Sequence, residues 1–165
     1  MLPVELMNTI WADRDGVHDA LDDTPEGATG RPELRCLRDA LRRLAADATD
    51  DDRPAGQSPV AAVAAAVDEV NRAAAAAPRW KVLLHDGDGW DRRVASAHDP
   101  AAAELATIAE QAIDLFGGPG RADLRACHAP GCVLYFVKEH PRREWCSAAC
   151  GNRARVARHY RRTRS

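Results

Sequence analysis

CHAPGCVLYFVKEHPRREWCSAACGNRARVARHYRRTRS, residues 127–165, decides how this chain is read, because it holds four of the five cysteines and eight arginines. Cys127 and Cys132 are separated by four residues that include Pro130 and Gly131, the composition of a tight turn that lets two thiolates converge on one ion. Cys146 and Cys150 stand four apart where a helix should begin, so both sulfurs share one face of its first turn.

Between the two pairs, VLYFV (133–137) and RREW (142–145) read as short strands around the turn KEHP. Turn, hairpin and helix start, in that order, make a treble-clef-like zinc finger with Cys127, Cys132, Cys146 and Cys150 as ligands. Disulfides are disfavoured by the odd cysteine total and by a cytoplasmic reading of the chain. A metal-free thiol cluster is disfavoured too, since the region offers few apolar side chains beyond Leu124, residues 133–137, Trp145, Val156 and Tyr160. A unit this small needs a staple, and structural zinc supplies about 10 to 16 kcal/mol. His128 and His140 are substitute donors, but four cysteines already close the tetrahedron. A closed site has no open position at which to activate water, so the zinc is expected to be structural.

What the zinc holds is a helix over residues 147–162, about 24 Å long. Ala149, Val156 and Tyr160 are expected to pack on Phe136 and Trp145. Arg155, Arg158 and Arg162 occupy another face, flanked by Arg153 and Arg161, with Arg142 and Arg143 arriving from the hairpin. Guanidinium forks bind phosphate bidentately and read guanine edges, and a lone helix fits the major groove. Double-stranded DNA is therefore the expected partner, with Asn152 or Arg155 near the helix start as base readers. Three other readings stand beside it: a basic helix docked on an acidic body, a zinc-stabilised protein-interaction module, and a thiolate switch that loses zinc on oxidation.

The acidic body is real. From position 138 onward nine Lys/Arg face only Glu139 and Glu144, a net of +7, which leaves −9 for residues 1–137 of a chain whose total is −2. No run is long or apolar enough to span a membrane, and the first residues lack a signal-peptide pattern. With alanine abundant and aromatics at 5%, a small helical core is expected.

Residues 4–12 read as a helix, followed by a loop at 22–32. Leu34, Leu37, Leu41 and Leu44 mark an amphipathic helix over 32–47, with Cys36 just off its stripe and expected to be at least half-buried. Ser58 and Pro59 announce a second helix ending before Pro78. Residues 79–97 change period and form one β-hairpin around Asp86 to Gly89, a DGDGWD turn that lacks a calcium-loop pattern. Trp80, His85 and Trp90 are candidates for lining a small-molecule pocket there. Asp99 and Pro100 open a last body helix that stops at GGPG (117–120), read as a hinge. The expected architecture is mainly α (α+β): a helical domain with one hairpin over 1–118 and the finger over 119–165. No catalytic residue pattern is visible, and no enzyme activity is expected.

The tail resembles the CGNR zinc finger, whose tetrapeptide stands here as Cys150, Gly151, Asn152 and Arg153 within RREWCSAACGNRARVARHYRR. The preceding part is similar to the ABATE domain, described as a stress-induced transcription regulator, through ELMNT, LRDALRRLAAD and LATIAEQAIDLF. The resemblance implies zinc on the four cysteines and DNA binding in transcription control. It also implies that Gly151 permits a close approach to the zinc turn or to a phosphate.

Overall fold

Leu34, Leu37 and Leu41, three and four apart, turn one stripe of α2 (Pro32–Ala48) into the core. Against it lies α3 (Val63–Ala75) with Ala66, Val70 and Ala73 buried, and against α3 lies α4 (Pro100–Gly117) with Leu105, Ile108, Ala109 and Ala112 buried. Alanines at these contacts let the helices approach closely. The short α1 (Leu2–Met7) crosses α2 and α4 and buries Leu6 and Met7. The computed structural model describes residues 2–22 and 32–163, so most of the loop expected at 22–32 lies outside the described residues. No described helix is long and apolar enough to cross a membrane.

Helix starts follow local chemistry. Asp99 caps α4 by accepting from the N–H groups of Ala101 and Ala102, with Pro100 in the first turn, as expected. Ser58 does not cap α3, which begins five residues later at Val63. Its Oγ instead donates to Asp39 O (2.6 Å) and accepts from Val60 N–H (3.0 Å), holding the connector against α2. Cys36 is exposed rather than half-buried.

The expected helix over 4–12 is broken in two. Asn8 stops it by giving both ends of its amide to Tyr135, donating to Tyr135 O and accepting from Tyr135 N–H, each at 2.9 Å. Thr9 Oγ donates back to Leu6 O. The chain then forms β1 (Ile10–Ala12), antiparallel to β2 (Val17–Asp19), so the body has two hairpins rather than one. The second, β3 (Arg79–His85) with β4 (Trp90–Ser96), is fully paired over seven positions and stands off the helices. Arg79 ties its base to Glu110 and Thr107 of α4.

The GGPG stretch runs into a 3-10 turn (Pro119–Asp123) packed on α4, and Gly118 N–H bonds Asp114 O, so it does not hang as a free hinge. Next comes β5 (Leu124–Ala126), paired antiparallel with β6 (Tyr135–Val137). The strand expected at RREW is a turn; β6 pairs backwards across the Cys127 to Cys132 turn because Leu124, Arg125 and Ala126 alternate apolar, charged, apolar. Leu124, Ala126 and Tyr135 are buried in the same core as α1, α2 and α4. The final helix, α5 (Ala148–Thr163), leaves this hairpin.

Buried polar groups weld these parts together. Arg42, 1% exposed, donates to Met7 O (2.7 Å), twice to Gly56 O (2.9 and 2.6 Å) and to Val133 O (3.1 Å). Gly56 has φ of +70°, and a Cβ there would lie 2.8 Å from Arg42 Nη2 and 3.0 Å from Val133 Cβ, so a side chain would be strained and would displace the guanidinium. Tyr135 donates its hydroxyl to Asp51 (2.7 Å), which also grips Arg53. Burial alone would raise the Asp51 carboxyl, but the bonds from Arg53 and Tyr135 outweigh it and hold it at about 2. Tyr135 is itself pushed up to about 12, by burial and by that carboxylate.

Replacing Arg42 by Met should strand three buried carbonyls and lower stability by about 3 kcal/mol, while Tyr135→Phe removes one charge-assisted bond and costs about 1.5 kcal/mol. Urea unfolding of the zinc-loaded chain measures both, and a Tyr135→Phe loss larger than that of Arg42→Met would contradict this ranking.

Candidate metal centre and basic helix

The four cysteines expected to share an ion converge: the Sγ atoms of Cys127, Cys132, Cys146 and Cys150 all lie within 4.8 Å of one another. Cys132 to Cys146 is 3.8 Å and Cys146 to Cys150 is 3.3 Å. A tetrahedral zinc with Zn–S of about 2.3 Å has S···S edges of about 3.8 Å, so the cage has the right size. Local turns build it. Cys132 N–H bonds Ala129 O (2.9 Å) to close the first turn, with Gly131 at φ of +72°, and Cys127 N–H bonds Leu134 O to join it to the strands. Ser147 Oγ accepts from Cys150 N–H (3.2 Å) as the N-cap of α5, leaving Cys146 just before the helix and Cys150 in its first turn.

The crowding of sulfurs calls for a cation. Bonds from Cys132 and then Cys146 hold the Cys127 thiol far below the usual range, while Cys132 is pushed up to about 11, chiefly by the same bond from its other end. Cys146 is pushed up further, first by Cys127 and then by Cys132. A divalent ion would offset the charge of thiolates held this close together.

Three arginines complete the setting. Arg153 Nη2 lies 3.0 Å from Cys150 Sγ. Arg143 donates to Val137 O, Trp145 O and Cys146 O, and its guanidinium lies 5.1 Å from the Phe136 ring centre. Arg53 places one nitrogen, Nη1, 2.7 Å from both Cys127 O and Cys132 O. Sequence reasoning missed Arg53 and its partner Asp51, which sit in the polar connector TDDDRPAGQ with no motif to mark them. It also assigned Arg143 and Arg153 to DNA, whereas their guanidinium groups here bond the finger itself.

The helix docks differently than expected. Cys150, Gly151 and Ala154 are its buried residues, whereas Val156 and Tyr160 are 53% and 62% exposed and do not pack on Phe136 and Trp145. Gly151 faces Trp145: a Cβ there would lie 3.2 Å from the indole Cδ1, which is the close approach the small residue permits. Beyond Ala154 the helix stands clear of the body. Arg155, Arg158, Arg161 and Arg162 are exposed on it, Arg142 is exposed before it, and exposed Asn152 accepts from Arg155 Nη2 through Oδ1. Among the described residues no carboxylate pairs with Arg155, Arg158 or Arg162.

Trp80, His85 and Trp90 do not form the pocket expected of them. The register puts Trp80 on one face of the ribbon and the cross-strand pair His85 and Trp90, 4.6 Å apart in an edge contact, on the other. Trp80 and Trp90 are 51% and 74% exposed, and none of the three lines a described cavity.

Comparison with known families agrees with both halves. Residues 2–119 match the ABATE family, described as "Putative stress-induced transcription regulator", and residues 124–163 match the CGNR zinc finger. No curated protein matches the chain.

The purified chain should carry one zinc. Cys150→Ser should lose it and Cys36→Ser should keep it, as metal analysis will show. Arg153→Ala should yield its zinc to a chelator about tenfold more readily, because the hydrogen bond that offsets thiolate charge is gone. Unchanged chelator competition would return Arg153 to the surface role read from sequence.

Proposed function

The chain belongs to the ABATE family, and we propose that it is a zinc-dependent DNA-binding regulator of transcription acting in the cytoplasm, with no catalytic activity of its own. The observation that carries the reading is the exposed face of α5 that holds Arg155, Arg158 and Arg162. An acidic body lies on the same chain, yet Arg155, Arg158 and Arg162 are exposed, and among the described residues no carboxylate pairs with them. A basic face left open when an internal counter-charge exists is suited to an external polyanion.

The arginines divide into two jobs under this proposal. Arg143 and Arg153 hold the finger: one braces the turn before the helix, the other offsets charge on the zinc thiolates. Arg142, Arg155, Arg158, Arg161 and Arg162 contact phosphate and set the helix in the groove. Asn152 sits in the first turns of α5, where side chains reach base edges soonest, and its bond to Arg155 aims that guanidinium. Zinc supplies no chemistry here beyond holding the helix start; the residues do the binding.

Five phosphate contacts predict a slope of about −4.5 for log K against log salt, measured by anisotropy of a labelled random duplex with the zinc-loaded chain. Arg158→Ala should weaken every duplex alike and flatten the slope by about 0.9, whereas Asn152→Ala should change the preference among sequences by about 1 to 3 kcal/mol. No duplex affinity at low salt would remove the DNA reading and leave the same face as a site for an acidic protein.

A further inference from the structure

The β3–β4 ribbon contributes no side chain to the buried core of the body. It carries four of the large apolar side chains most exposed in the described structure: Trp80 (51%), Leu83 (66%), Trp90 (74%) and Val94 (62%). No other described strand pairs with either edge of the ribbon; on β4 the outward N–H of Arg92 is taken by the Asp91 side chain (2.8 Å), whereas no described strand meets the outward backbone groups of β3. We propose that this ribbon is a dimerisation arm, and that β3 pairs antiparallel with β3 of a second copy of the chain to form a four-stranded sheet across a two-fold axis.

The register carries the argument. Asp86 N–H bonds Gly89 O at the tip, which sets the phase of the ladder: residues 80, 82 and 84 turn their backbone groups to β4, and 79, 81, 83 and 85 turn theirs outward. A two-fold pairing that uses the whole seven-residue strand is centred on Val82. It makes Lys81 and Leu83 of opposite chains the hydrogen-bonded pairs, which are the residues whose groups face out. Side chains then fall into place. On one face Val82 meets its own copy and each Trp80 meets Leu84 of the other chain, so six apolar side chains make a continuous strip. On the other face Lys81 lies beside Leu83 and Arg79 beside His85, and no two like formal charges oppose.

The alternative edge fails the same test. Self-pairing of β4 over its full length is centred on Arg93 and sets Arg93 against its own copy in the closest type of cross-strand pair. Pairing β3 with β4 of the next chain is heterologous and does not close at two copies. Charge and symmetry therefore select β3. The inference stands apart from the DNA reading, since no residue of the finger takes part.

The test uses the full zinc-loaded chain. Sedimentation should give twice the chain mass of 17.9 kDa. Leu83→Pro removes only an outward N–H and should give a monomer, whereas Arg92→Pro blocks the β4 edge, removing the N–H that bonds Asp91 Oδ1, and should stay dimeric. In a Cys36→Ser background, Val82→Cys should oxidise to a covalent dimer, because residues facing themselves across such a pair lie about 4.5 Å apart at Cα, and Val94→Cys should not. A monomeric parent chain, a Leu83→Pro dimer that keeps its native circular dichroism, or equal crosslinking at 82 and 94 would each overturn the proposal. If Leu83→Pro does not fold, the crosslinking pair decides alone.

Discussion

Arg53 holds the turn between Cys127 and Cys132 to the loop after α2. One guanidinium nitrogen donates to the carbonyls of both Cys127 and Cys132, and the other end of the group is fixed by Asp51, which Tyr135 also bonds. The turn that presents two metal ligands is therefore fastened to the loop after α2, not merely joined through the chain. Arg42 does the same for three other segments, linking the ends of α1, the connector at Gly56 and the finger at Val133 through carbonyls alone. Both guanidinium groups lie near the Tyr135 ring, at 5.2 and 5.4 Å from its centre. Planar forks with fixed donor directions suit this task, since each can satisfy several carbonyls that no lysine could reach together.

This welding changes what the finger is. A small zinc unit usually depends on its metal for folding. Here its first hairpin shares the body's core through Leu124, Ala126 and Tyr135, and a second cluster of Cys127, Ala129, Cys132, Phe136 and Cys150 depends on the sulfur cage. A metal on the four cysteines would hold the outer half, including the start of α5, while the inner half is held by ordinary burial.

Two features project from this frame with little packing of their own. The far half of α5 carries exposed arginines, and the β3–β4 ribbon carries exposed aromatic and aliphatic side chains. Both belong to the class of surfaces that isolated chains manage poorly, one for electrostatic and one for hydrophobic reasons. A body that pairs through its ribbon and reads through its helix would keep the two tasks on separate elements.

The sequence by itself determined the sulfur cage, the amphipathic α2, the Asp99 cap of α4 and the turn of the longer hairpin, because each depends on spacing or capping within a few residues. Tertiary structure decided the rest. Asn8 is a helix breaker only because Tyr135, 127 positions away, offers it a matching N–H and C=O. Ser58 has the identity of an N-cap but bonds α2 instead. Arg143 and Arg153 look the same in sequence as Arg158 and Arg162, and only the placement of sulfurs and carbonyls around them separates arginines that brace the finger from those exposed on the helix. Val156 and Tyr160 have the helical spacing of a packed stripe, yet Gly151 and Ala154 allow the closer approach and take the contact. Long-range polar partners leave no local period in a chain, which is why these assignments had to come from the fold.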